Sequence, residues 1–148
     1  MESNEKFKII PAVYLILEKD GKILLSKRFQ TGYEDGNYSM VAGHVDGGET
    51  MREATAREAM EEAGIKIEPT KLNYVLTMHR WQGDHERIEF YFTTNGWEGE
   101  IKNMEPNKCD DLSWFAIDQL PENTIPYIRT VIDCYKKGIQ YYEFGWER

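Results

Sequence analysis

The chain has 148 residues, 41% of them hydrophobic and 13% aromatic, which suits one domain over residues 1–148 with a real core and excludes a disordered chain. Its 26 acidic and 18 basic residues give a net charge of −8 with no block of Lys or Arg, which argues against a nucleic-acid polymer as partner. No apolar run has membrane-spanning length, and the N-terminal MESNEKFK lacks the apolar core of a signal peptide, so a soluble cytoplasmic protein with no membrane partner is expected.

The first predicted element is a largely buried strand over residues 7–18, with Pro11 marking a kink or an edge. Asp20-Gly21 turns it into a second strand over residues 22–28. A polar loop over residues 30–37 leads to a short strand over residues 38–42, which delivers Gly43. Thr50 and Glu53 then have capping-box spacing, residues 51–63 are rich in helix formers, and Gly64 is a stop signal, so one short helix follows.

At 100° per residue, Ala56, Ala59, Met60 and Ala63 share one face of that helix, while Glu58, Glu61 and Glu62 fall on the opposite one. Glu58 stands at i+3 and i+4 from Glu61 and Glu62, and like-charge pairs of this kind each cost about 0.2–0.5 kcal/mol. They also crowd the last turns, where the helix dipole favours cations. A charged helix face is commonly no more than solvated surface. A bound divalent cation would instead reverse both penalties, since clustered carboxylates with substrate phosphates are the usual way to hold Mg²⁺. A small phosphate substrate remains compatible with the acidic chain on the same terms, because a metal supplies local positive charge.

Beyond the helix, β-rich runs over residues 71–81 and 87–94 are joined at Gly83-Asp84 as a hairpin. A short strand over residues 112–116 follows a loop carrying Glu105, Pro106 and Asp110-Asp111. A second helix starts near Pro126 and runs to about residue 137, with Ile125, Ile128, Ile132 and Tyr135 on one side and Gly138 as its stop. Cys109 and Cys134 have no metal-site spacing and are too few for a disulfide scaffold, so both are expected as buried small residues. In the aromatic tail, Tyr142, Phe144 and Trp146 pack over the core or an exposed sheet edge, or one of them lines a base pocket or a dimer contact. The order of elements indicates an α/β fold with a mixed sheet between two helices.

Gly43, Glu49, Arg57-Glu58, Glu61-Glu62, Gly64 and Ile65 stand at spacings that resemble the Nudix box, the signature of the Nudix hydrolases. Every fixed position is filled, and Ala59 stands where a larger aliphatic residue is common. The resemblance implies an α/β/α sandwich with the box helix beside the sheet. It also implies that the Gly43 carbonyl and the carboxylates of Glu58, Glu61 and Glu62 hold Mg²⁺, with Mn²⁺ as a substitute. One carboxylate, Glu58 first, would also orient or deprotonate the attacking water. Glu49 and Arg57 would form a salt bridge holding the loop to the helix.

Outside the box the resemblance extends to the MutT type, which sanitises nucleotide pools. Trp97-Glu98-Gly99-Glu100 and then Glu105 resemble the segment that brings a further metal-binding glutamate, although Glu105 also reads as a plain loop acid. Ser26-Lys27-Arg28 is similar to the strand end where an arginine meets the substrate phosphates, which makes Arg28 a phosphate-binding candidate. Asn123 resembles an asparagine that reads the base, but capping the helix near Pro126 is the preferred reading. Trp81 stacks on a base if the hairpin folds over the pocket, and otherwise packs in the core or at an edge. His79 and His85 are not spaced as a metal pair, whereas His44 is placed to touch a phosphate.

The implied activity is Mg²⁺-dependent hydrolysis of a nucleoside triphosphate, normal or oxidised, to the monophosphate and pyrophosphate. The alternatives are another nucleoside diphosphate derivative, such as a nucleotide sugar or a dinucleotide, and a module that senses a nucleotide without cleaving it. The absence of proline between Pro69 and Pro106 speaks against the ADP-ribose subtype, and the tail lacks the motif of the NADH-cleaving subtype. The assembly is expected to be a monomer or a homodimer.

Overall fold

Ala12, Tyr14 and Ile16 alternate with Val13, Leu15 and Leu17, and all six are buried, so the strand they form has to be covered on both faces. The computed structural model describes residues 4–147; the first residues of MESNEKFK and the last residue of the tail lie outside the described residues. In chain order the elements are β1 (Ile10–Ile16), β2 (Glu18–Lys19), β3 (Lys22–Arg28), β4 (Tyr38–Ser39), β5 (Val41–His44), α1 (Met51–Ala63), β6 (Asn73–Trp81), β7 (Glu86–Thr93), β8 (Cys109–Ala116), α2 (Pro126–Lys137) and β9 (Tyr141–Phe144), with a 3₁₀ turn at Pro69–Lys71.

The main sheet is mixed, in the order β5-β1-β7-β6-β9. In it β1 pairs antiparallel with β5 and parallel with β7, and β9 runs parallel to β6. Ala12, Tyr14, Ile16, Leu76, Met78 and Tyr91 pack with Ile128, Val131 and Ile132 of α2 on one face. Val13, Leu15, Leu17 and Phe92 pack with Ala54, Ala59 and Ala63 of α1 on the other. The α/β sandwich that the sequence implies is therefore present, with two helices enclosing a mixed sheet.

Several strands differ from expectation, and each difference has a local cause. The first strand is shorter at both ends: Phe7 is 72% exposed, and Glu18–Lys19 leaves the main sheet to pair with β3. Pro11 pairs in register with Ile88 of β7, and its carbonyl accepts from the Val45 N–H at 3.2 Å at the end of the β5 ladder, so the bond that its missing N–H cannot return falls at the start of the strand and not in its middle. The expected strand over residues 38–42 is two strands. Tyr38–Ser39 pairs with β3 in a second sheet, and Val41–His44 pairs with β1, so Met40 is the step at which the chain changes sheets. β8 starts at Cys109 because β3 continues past a bulge to pair Arg28 with it.

The buried face of α1 is rotated from the expected one. Met60 is 47% exposed, whereas Ala54, Thr55, Ala59 and Ala63 are buried. Small side chains let the helix lie close to the sheet, and this brings Glu58 and Glu62 to the flank of the contact instead of the far side. In α2, Ile125, Ile128 and Ile132 are buried as expected, Tyr135 is only half-buried, and Tyr127, Val131 and Cys134 join them; Cys109 is buried as well. Among the described residues, no helix is long and apolar enough to cross a membrane.

The tail forms the edge strand β9. The Phe144 ring lies 6.3 Å from that of Tyr127, and Trp146 Nε1 donates to the His79 carbonyl at 2.9 Å beside the rings of His79 and Trp81. Tyr142 departs from expectation and stays 39% exposed. Phe144→Ala should lower stability by about 1–2 kcal/mol, the share of a half-buried ring. Urea denaturation should show this as a lower midpoint at unchanged slope; an unmoved midpoint would mean that the tail does not dock.

Candidate active site

The site forms where β5 ends at the sheet edge and α1 begins. Thr50 Oγ1 accepts from the Glu53 N–H at 3.0 Å and Glu53 Oε1 from the Thr50 N–H at 2.9 Å, so the expected capping box fixes where the helix starts. Arg57 then ties the intervening loop down. Its Nε and Nη2 donate to the two oxygens of Glu49 at 3.1 and 2.8 Å, and Nη2 also reaches the His44 carbonyl at 3.1 Å. The Glu49–Arg57 pair is thus formed, and the guanidinium holds the Glu49 carboxyl below its usual range. The remaining Arg57 nitrogen, Nη1, donates to Glu58 at 2.8 Å and to Glu61 at 3.3 Å.

Glu58 lies over Gly43 in the space a side chain there would fill. A Cβ at position 43 would overlap the Glu58 carboxylate, with even its more distant oxygen only 2.7 Å away. One turn on, Glu62 Oε2 accepts from the Ala42 N–H at 3.2 Å. Burial, and then the adjacent carboxylates of Glu58 and Glu105, push the Glu62 carboxyl well above the usual range, against the opposing pull of that N–H. Glu105 arrives on a loop stapled to the end of α1: Lys102 N donates to the Ala63 carbonyl at 3.0 Å and Met104 N to the Glu62 carbonyl at 3.1 Å. Gly99 is required in that loop, because its φ is +97° and a Cβ there would stand 3.2 Å from the Gly64 carbonyl oxygen.

Glu58, Glu61, Glu62 and Glu105 line one cavity of about 290 Å³, and Arg28 and Lys108 line it as well. Among the described residues, no three His, Cys, Asp or Glu side chains already converge as a closed metal cage. The donors nevertheless suit a hard divalent cation: they are carboxylates, Glu58 and Glu62 are adjacent, and the ionised form of Glu62 is disfavoured by burial and then by its acidic neighbours, a penalty that a cation would offset. Arg28 is held by the Tyr33 carbonyl at 2.6 Å and by Thr31 Oγ1 at 3.1 Å.

This cavity continues past Arg28, Ser39, Ala42 and Lys108 into a second one of about 530 Å³. Gly43, His44, Arg80 and Arg87 line it, together with Tyr14, Tyr33 and Tyr127. Beneath it the fully buried Glu89 accepts from Arg80 Nε and Nη2 at 3.0 and 2.9 Å, from Arg87 Nε at 2.9 Å and from Tyr14 OH at 2.8 Å. Sequence reasoning missed Arg80, Arg87, Glu89 and Lys108. The signal available was a charged residue inside the apolar run Ile88 to Phe92, a position that burial makes costly unless it is paired.

The two base-binding candidates line neither cavity. Trp81 lines a separate crevice with Trp146, Glu86 and Glu147. Asn123 does not cap α2, whose N-cap is Ile125 without a side-chain bond. Its Nδ2 donates to the Gly36 carbonyl at 2.8 Å, pinning the loop before β4. His79 bonds Glu86 at 2.8 Å and His85 bonds Asp84 at 2.6 Å.

Gly43→Ala should keep the fold but cost about 1–3 kcal/mol through the overlap with Glu58. Introduced into a Glu58→Ala background, the same change should cost less than half as much, and a double-mutant cycle by urea denaturation reads the difference. Equal costs in the two backgrounds would mean that this contact does not restrict position 43.

A family model described as NUDIX domain matches residues 8–133. The chain is 33% identical over 113 residues to the NAD-capped RNA hydrolase NudC of Escherichia coli (strain SMS-3-5 / SECEC), covering 76% of this chain and 41% of that protein. It therefore spans less than half the length of the curated relatives it matches. The MutT NUDIX hydrolase from Burkholderia pseudomallei is similar in structure with a TM-score of 0.78 and 26% identity, over 86% of this chain and 98% of that one. The MutT protein from Methanosarcina mazei Go1 shares the fold with a TM-score of 0.75 at 20% identity, over 87% and 94%. The matched span takes in both sheets except β9, α1 with its acidic flank and most of α2, and on that evidence the chain belongs to the NUDIX family.

Proposed function

We propose that the chain is a divalent-cation-dependent hydrolase that cleaves the phosphoanhydride of a nucleoside triphosphate, normal or oxidised, to the monophosphate and pyrophosphate. The observation that supports this most is the packing of Glu58 and Glu62 against Gly43 and Ala42, with Arg28 and Lys108 facing the same cavity. In this reading Gly43, Glu58, Glu61, Glu62 and Glu105 hold Mg²⁺ or Mn²⁺. When bound, the cation supplies charge neutralisation at the diphosphate and polarises the attacking water.

Glu58 is the residue that orients that water. Its Oε1 already accepts a hydrogen bond from Arg57 Nη1 at 2.8 Å, which fixes the carboxylate in place and makes positioning its contribution. The water oxygen forms a bond to phosphorus as the bond from that phosphorus to the bridging oxygen breaks. The electron pair leaves with pyrophosphate, and the water proton passes to solvent. Arg28 and Lys108 bring positive charge to the phosphate oxygens, while Glu49 and Arg57 hold the loop that carries Gly43 in place.

A second reading takes a dinucleotide as substrate, and the NudC relative favours it, since its name gives NAD-capped RNA as what it acts on. One panel separates the readings: standard and oxidised triphosphates, nucleotide sugars, NAD and NAD-capped RNA, each with Mg²⁺ and with chelator. Metal-dependent pyrophosphate release from one triphosphate class is expected, lowered at least about 100-fold by Glu62→Gln. Monophosphates released from NAD without pyrophosphate would establish the dinucleotide reading. Nucleotide binding by the folded protein with no turnover of any substrate would make the chain a sensor.

A further inference from the structure

In a chain with 26 acidic and 18 basic residues, the second cavity is lined by Arg28, Arg80, Arg87 and Lys108 and, among the described residues, by no carboxylate. Glu89, beneath it, is one negative charge serving two guanidiniums, so the pairing leaves positive charge over. The two arginines are not equivalent. Arg80 has only 4% of its side chain exposed, gives two nitrogens to Glu89 and lies 3.8 Å from the centre of the Tyr127 ring. Arg87 is 14% exposed and gives Glu89 one nitrogen; its Nη1 stands 3.4 Å from His44 Nε2, on the side of the cavity formed by β5. Lys108, on the loop before β8, lines both cavities, the second together with Arg87.

A neutral sugar or base placed here would strip water from these cations and return no charge to them. Burying charge without a partner is costly, whereas an anionic oxygen on a guanidinium restores the lost interaction. The adjoining cavity is acidic and, by the function proposed above, takes the diphosphate together with its cations. The basic cavity then has to be filled by a different anionic group of the same ligand.

We infer that the second cavity is a subsite for one phosphate beyond the diphosphate being cleaved, bound by Arg87 and Lys108, with Glu89 and Arg80 as positioning residues. The inference rests on the proposed function for where the cleaved diphosphate lies. The extra phosphate can come from the end of a nucleoside triphosphate or from a phosphate ester on the sugar of a dinucleotide. Two substrate pairs distinguish the sources, ATP against ADP and NADP against NAD, since each pair differs by one phosphate.

In the wild-type protein with Mg²⁺, kcat/KM should favour the member with the extra phosphate at least tenfold in one pair, about the value of a charge-assisted contact. Arg87→Gln should bring that ratio near one through KM, and Arg87→Lys should restore part of it. Lys108→Ala, on an exposed loop, provides a second variant if Arg87→Gln does not fold. Independently of turnover, inorganic phosphate in chelator should raise the melting temperature of the wild type and raise it less in both variants.

Turnover with ratios near one in the wild type, or ratios unchanged by both variants, would overturn the subsite and leave the proposed function standing. A silent panel with a phosphate shift that the variants abolish would do the reverse. A phosphate shift equal in wild type and both variants would also overturn the subsite.

Discussion

Glu58 occupies the space beside β5 that any side chain at position 43 would need, and the rest of the acidic cavity follows from that contact. With glycine there, α1 can set a carboxylate against the sheet edge instead of pointing it at solvent. Glu62, one turn later, then falls within reach of the Ala42 N–H, and the loop capping the end of α1 brings Glu105 toward Glu62. Each step places another negative charge beside the last, an arrangement that pure folding energetics would avoid. Arg57 is what the fold supplies against it, touching Glu49, Glu58 and Glu61 with one planar guanidinium.

Next to this acidic pocket the fold builds its charge opposite. The hairpin of β6 and β7 sends Arg80, Arg87 and Glu89 to one face of the main sheet, where Tyr14 and Tyr127 complete the buried network. A buried ion pair of this kind adds little net stability over apolar packing, but losing one member would leave the others unpaired at a cost of about 3–5 kcal/mol. Its contribution is geometric: it fixes two guanidiniums at a cavity whose lining also includes Tyr14, Tyr33 and Tyr127. Acidic and basic cavities sharing Arg28 and Lys108 make one continuous groove of graded charge.

Local signals carried much of this fold. The capping box at Thr50 and Glu53, the left-handed stops at Gly64 and Gly138, the hairpin at Gly83 and the Ile125/Ile128/Ile132 stripe are all where the sequence places them. What local pattern could not supply was set by contacts between elements. The face of α1 was misread because hydrophobicity alone puts Glu58 and Glu62 outward, while the glycine across from Glu58 turns that flank inward. The step at Met40 is invisible to propensity, since residues on both sides of it are strand formers that belong to different sheets. Arg80 and Arg87 carry no local signal of a site, which is formed only by their pairing with Glu89. Asn123 illustrates the converse, a residue suited by type to a cap or a base that instead ties down a loop.

The central claim is that Glu58 and Glu62 are brought together to hold a divalent cation, and Mn²⁺ binding tests it most directly. Electron paramagnetic resonance of chelator-treated protein titrated with Mn²⁺ reports bound against free ion without requiring a substrate. The wild type is expected to bind Mn²⁺ at least about tenfold more tightly than Glu58→Gln/Glu62→Gln, with the far-ultraviolet dichroism of the two proteins superimposable. Equal binding in the two proteins would contradict it.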